Sequence, residues 1–117
     1  MNKTTLGKFG EDLAESYLKS HGYKIIERNF RIRGGEIDII AQDANTLVYV
    51  EVKTRSSHRF GLPEESVNYH KLRFLERASK FYRANRSNLP QLERIDVLAI
   101  DLTYGEPEYK LIKNASL

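Results

Sequence analysis

Asp38, Glu51 and Lys53 are the residues of this 117-residue chain whose types and spacing point to chemistry. They interrupt GEIDIIAQDANTLVYVEVKTR, Gly35 to Arg55, which otherwise reads as two apolar strands joined by a polar turn. Side chains alternate across a strand, so the pattern fixes the register. With Ala44-Asn45 at the tip, the paired residue numbers sum to 89. Ile37, Ile39 and Ala41 then face Val52, Val50 and Val48 on one apolar side, while Asp38 faces Glu51 and Glu36 faces Lys53 on the other. Opposed Cβ atoms lie roughly 4.5–5.5 Å apart, and like charges so placed are destabilising. A hard divalent cation, Mg²⁺ or Mn²⁺, relieves that repulsion, because it takes one or two carboxylates plus waters and phosphate oxygens. Such an ion polarises a phosphoryl oxygen and acidifies its bound water. Lys53, on the same strand face as Glu51, is placed to orient that water or to offset charge developing on phosphorus oxygens. The chemistry favoured is phosphodiester hydrolysis. An ordinary solvent-facing hairpin with a Glu36–Lys53 ion pair is the plainer alternative, and the Asp38–Glu51 opposition is what argues against it.

The elements that must hold these residues are legible in the same way. Leu6, Phe9, Leu13, Ala14, Tyr17 and Leu18 recur at helical spacing, with Thr4 or Thr5 as start and Gly22 as stop. YKIIERNFRI reads as a first strand before the hairpin. Val67, Leu72, Leu75, Ala78 and Tyr82 suggest a second helix, and RIDVLAIDL and YKLIK two further strands. The order is α-β-β-β-α-β-β. A strand–helix–strand passage from Val48 to Leu102 is long enough to join parallel strands. The expected class is α/β, a mixed sheet flanked by helices, in one domain spanning 1–117.

Composition narrows the rest. Cysteine is absent, which excludes disulfides, thiolate metal sites and thiol nucleophiles. No apolar run approaches a membrane span or the core of a signal peptide, so a cytoplasmic location is expected. Residues 53–94 hold ten Lys/Arg against four Asp/Glu, although the whole chain carries only +3. That block fits a phosphate-backbone footprint and equally a solvated helix face. Within or beside it, Arg31 and Arg33 flank the Gly34-Gly35 turn, Arg55 and Arg59 follow the site strand, and Lys71 starts the basic second helix. These five are the candidate nucleic-acid contacts.

The motif D-x(12)-E-x-K resembles the PD-(D/E)XK nuclease core. More tellingly, GKFGEDLAESYLKSHGY, RNFRIRGGEIDIIAQD, LVYVEVKTRSS and RIDVLAI closely resemble the uncharacterised bacterial YraN family over nearly the full chain. That family is similar to archaeal Holliday junction resolvases. The resemblance implies a restriction-endonuclease-like fold, divalent-metal use, DNA as partner and a homodimer. It matches Asp38, Glu51 and Lys53 to the core motif and adds Glu11, on the first helix, as a third metal carboxylate. The departure is Gly-Glu-Ile-Asp where the motif has Pro-Asp, which leaves Glu36 as an extra acid or a partner for Lys53. The expected activity is metal-dependent endonucleolytic cleavage of branched or structured DNA; the alternative is a non-catalytic nucleic-acid-binding module on the same scaffold.

Overall fold

In the computed structural model, which describes residues 2–115, helix α1 (Lys3–Ser20) is opened by neither threonine. Asn2 is the N-cap, its side chain accepting from the Thr5 N–H at 2.8 Å. At the other end Gly22 takes φ +89°, and the N–H groups of Gly22 and Tyr23 donate back to the carbonyls of Lys19 and Leu18. This satisfies the last carbonyls of the helix and turns the chain into the first strand. Met1, Ser116 and Leu117, part of the expected 1–117 span, lie outside the described residues.

Strands β1 (Lys24–Ile32), β2 (Gly35–Asp43) and β3 (Thr46–Arg55) form an antiparallel meander. A short 3-10 turn, Pro63–Ser66, leads to helix α2 (Tyr69–Ala84), capped by the Asn68 side chain accepting from the Lys71 N–H at 3.0 Å. Val67, expected to begin this helix, instead ends the 3-10 turn. Strand β4 (Leu92–Asp101) then lies parallel to β3, and β5 (Glu108–Ile112) antiparallel to β4. The element order and the mixed α/β class are those expected from the sequence, with sheet order β1-β2-β3-β4-β5.

The sheet separates two cores. On the α1 side Ala14 and Leu18 pack on Ile39, Ala41, Val48, Val50, Leu98 and Ile100. On the α2 side Phe74, Leu75, Ala78 and Tyr82 pack on Ile37, Ile40, Leu47 and Tyr49. The hairpin register holds from Asp43↔Thr46 to Ile39↔Val50, all summing to 89, and then stops. Ile37 and Val52 belong to opposite cores, so the uniform apolar side expected of them does not extend that far. The physical reason is local. The Asp38 carboxylate takes the Val52 N–H at 2.8 Å, so a side chain replaces the main-chain acceptor. Opposite it in β1, Asn29 adopts φ +55° between the pairs Arg28↔Ile39 and Phe30↔Ile37. Both strands change facing there.

Asp96 anchors a separate buried network. It is fully buried and accepts from Tyr23 Oη at 3.0 Å, Arg94 Nε at 2.9 Å and the Asn114 N–H at 3.0 Å, while Arg94 also reaches Asp43 at 2.7 Å. Burial, with the Asp96 charge beside it, pushes the Tyr23 hydroxyl up to about 12. Removing one partner of such a network strands the others, so Asp96→Ala is expected to cost about 3–5 kcal/mol in urea unfolding. A loss under about 1 kcal/mol would show that the network contributes little.

Candidate functional site

The place where the hairpin stops pairing is also where its carboxylates gather. Glu51 lies on β3 in line with Tyr49 and Lys53, beneath α2, and is 1% exposed; Asp38 on β2 is 8% exposed. Two lysines face Glu51 Oε2: Lys71 Nζ from α2 at 3.3 Å and Lys53 Nζ at 3.6 Å. Glu51 Oε1 is buried with no hydrogen-bond partner. An unpartnered carboxylate oxygen in an interior is costly, and it is the feature here that calls for a ligand.

Burial, followed by hydrogen bonding to Glu51 and by its charge, holds the Asp38 carboxyl well above the usual carboxylate range. The Val52 N–H and the Lys71 ammonium pull the other way without prevailing. This pair therefore resists carrying two full negative charges without further cations.

Asp38 belongs to a second grouping as well. Glu11, Glu36 and Asp38 each present a carboxylate oxygen, all within 4.8 Å of one another. Glu11 comes from α1 and is steered by Asn29 Nδ2 at 2.9 Å and Arg28 at 3.4 Å. Arg28 also binds Asp12 at 2.8 Å and Glu15 at 3.4 Å, so one guanidinium ties the helix to the edge strand. Glu36 is held by Arg31 at 2.8 Å, its partner across the β1–β2 pairing. The expected Glu36–Lys53 pairing is not formed, because β2 has left β3 by that point; Lys53 turns to Glu51 instead.

Gly10 sets how closely α1 approaches. A Cβ built there would lie 1.9 Å from Thr54 Oγ1 on β3. Only a glycine lets this turn of helix, which carries Glu11, rest against the strand that carries Glu51.

The structure thus brings Glu11 and Glu36 to Asp38, and Lys53 and Lys71 to Glu51. Of the basic residues singled out in the sequence, Arg31 is engaged with Glu36 and Lys71 with Glu51. Arg33 and Arg59 are exposed, and the Arg59 guanidinium lies 5.6 Å from the Phe60 ring centroid. Arg55 is half-buried at the end of β3, its Nε without a partner and its carbonyl accepting from the Leu102 N–H. Beyond it His58 pairs with Asp101, whose carboxyl is held down to about 2 by Thr103 hydrogen bonding and then by His58. That contact fastens the loop after β3 to the end of β4. Arg28 and Asn29 went unrecognised in the sequence. The signal available was an Asn, tolerant of positive φ, interrupting the alternation of a strand.

These features define a mixed α/β protein whose central hairpin parts around a partly buried acidic cluster flanked by lysines. The family model described as Uncharacterised protein family UPF0102 matches residues 10–100, and the chain belongs to that family. This is the YraN membership its motifs led us to expect. A UPF0102 protein of Geobacter metallireducens is 44% identical over 115 residues, covering 98% of this chain and 94% of the relative. One from Caldicellulosiruptor bescii is 46% identical over 118 residues, covering 98% and 99%. Another, from Carboxydothermus hydrogenoformans, is 46% identical over 101 residues, covering 86% of each. Among the described residues, no helix is long and apolar enough to cross a membrane.

Proposed function

We propose that the protein is a divalent-metal-dependent endonuclease that hydrolyses DNA phosphodiester bonds, acting on branched or structured DNA. The observation that carries this reading is the buried, unpartnered Glu51 Oε1 beside an Asp38 that burial and Glu51 disfavour as an anion. The carboxylates that gather, Glu11, Glu36 and Asp38, with Glu51 outside that trio, offer only oxygen, a donor set that fits Mg²⁺ or Mn²⁺. Asp38 and Glu51 would hold the ion, with Glu11 and Glu36 supplying the remaining acidic oxygens. Bound there, a divalent ion supplies polarisation of a phosphoryl oxygen and a water acidic enough to attack at neutral pH. Lys53 orients the attacking water or offsets charge on the phosphorus oxygens. Lys71, 3.3 Å from the same carboxylate, holds Glu51 in place. The motif resemblance supports the same assignment for Glu11, Asp38, Glu51 and Lys53.

Two measurements test it. Calorimetric titration with Mg²⁺ or Mn²⁺ is expected to show binding to the wild type that is lost in Asp38→Ala. On a panel of duplex, single-stranded, flap and four-way-junction DNA, at least one substrate is expected to be cut. Asp38→Ala and Glu51→Ala should each lower that rate by about 10²-fold or more. Activity that survives both substitutions would belong to a contaminant. Nucleic-acid binding with no cleavage under any divalent condition would establish the non-catalytic module instead.

A further inference from the structure

A groove separate from the acidic cluster lies between the edge strand β1 and the outer face of α2. Its floor is apolar, made by Ile32 and Phe81, and its rim carries Arg31, Arg33, Arg77 and Lys80. Phe81 is 54% exposed, although it is a large aromatic side chain with the Phe30 ring 6.4 Å away on its inner side. Arg33, Arg77 and Lys80 form no ion pair with any carboxylate among the described residues. Arg77 lies 5.4 Å over the Phe74 ring, but three cations without a carboxylate partner beside an exposed aromatic ring repel one another and leave hydrophobic area in water. A chain that alternates flat apolar rings with anions answers both costs.

We infer that this groove binds single-stranded nucleic acid, with an unpaired base on Phe81 and the flanking phosphates on Arg33, Arg77 and Lys80. Duplex fits the rim but not the floor, because its base faces are already covered by stacking. Arg31 lines the groove and also bonds Glu36 at 2.8 Å, so one side chain joins the groove's rim to the acidic cluster. The inference deepens the nuclease reading, since it names an unpaired segment as the part of the substrate that is recognised. Its test needs no cleavage, so either idea can fail while the other stands.

The experiment is fluorescence anisotropy in EDTA with end-labelled oligothymidylate and a duplex of the same length. Oligothymidylate is expected to bind more tightly than duplex, with affinity falling steeply as salt rises. Phe81→Ala should weaken oligothymidylate binding by about tenfold and duplex binding by less than about twofold. Phe81→Tyr, which keeps a flat ring, should bind as the wild type does. Lys80→Gln should reduce the slope of log affinity against log salt by about 0.7. Circular dichroism of each variant checks the fold. Equal or tighter duplex binding, an oligothymidylate affinity indifferent to Phe81→Ala, equal weakening of both probes, or no binding at low salt would each overturn the inference.

Discussion

Without divalent ions at pH 8, Asp38→Asn is expected to melt about 5–10 °C above the wild type, a gain of about 1–2 kcal/mol. The Asp38 carboxyl accepts from the Val52 N–H and hydrogen-bonds with Glu51. An amide keeps an oxygen for the Val52 N–H and adds an N–H able to donate to Glu51, so it imitates the protonated acid without needing a proton. The sign follows from linkage. The Asp38 pKa is raised in the folded state, so the folded protein holds a proton that the unfolded chain releases. Stability from that proton is fully present below the unfolded pKa and is lost as pH rises through the folded one. Wild-type stability in EDTA should therefore fall from the ordinary carboxylate range toward mild alkali, and Asp38→Asn should flatten that slope. Added Mg²⁺ or Mn²⁺ should reverse the ranking, stabilising the wild type by mass action and the variant little. Thermal melts across pH, with and without metal, read every part of this. A variant less stable than wild type at pH 8, with an unchanged pH slope, would show that Asp38 is comfortable as an anion.

The second large effect has the opposite sign to its naive expectation. In a helix interior, Gly→Ala usually stabilises by about 1 kcal/mol. At Gly10 the new methyl group would lie 1.9 Å from Thr54 Oγ1, 2.9 Å from Thr54 Cβ and 3.2 Å from Thr54 Cγ2. Strand and helix must separate, and overpacking of this kind costs about 1–3 kcal/mol beyond the propensity gain. Gly10→Ala is therefore expected to be net destabilising in urea unfolding. Pairing it with Thr54→Ala, which removes the Oγ1 and Cγ2 contacts, should recover at least about 1 kcal/mol relative to additivity. A stabilised Gly10→Ala, or strictly additive behaviour, would show that α1 does not rest on Thr54. The same displacement would carry Glu11 away from Glu36 and Asp38, so metal affinity should fall with stability.

How far the sequence could be read depended on which groups make the bonds. From Ile39 to Asp43 the two strands pair residue for residue without a break, so alternation from the turn specified the register there. At Asp38 a carboxylate enters the ladder, and extrapolation by alternation fails one residue later. The expected facing of Ile37 therefore fails, and of the two places the sequence left open for Glu36, beside the acids or beside Lys53, it takes the first, with Glu11 and Asp38. Lys71 was legible as a basic helix residue. That it overhangs Glu51 depends on which face of α2 the sheet takes, a matter of packing across distant segments. The helix caps show the same limit at small scale, since Thr4, Thr5 and Asn2 are all competent and only geometry selects Asn2.

The order of strands in the sheet, identical to their order in the chain, has a kinetic consequence. Residues 24–55 can zip as a meander through short turns, and 92–112 can pair as a second unit with little loop entropy to overcome. The parallel seam between β3 and β4 is different, because it must wait for the intervening loop and α2 to close. The strand that bears Glu51 and Lys53 is one wall of that seam. The acidic cluster is thus expected to form on a surface whose last neighbour arrives late, its charges hydrated until that seam closes.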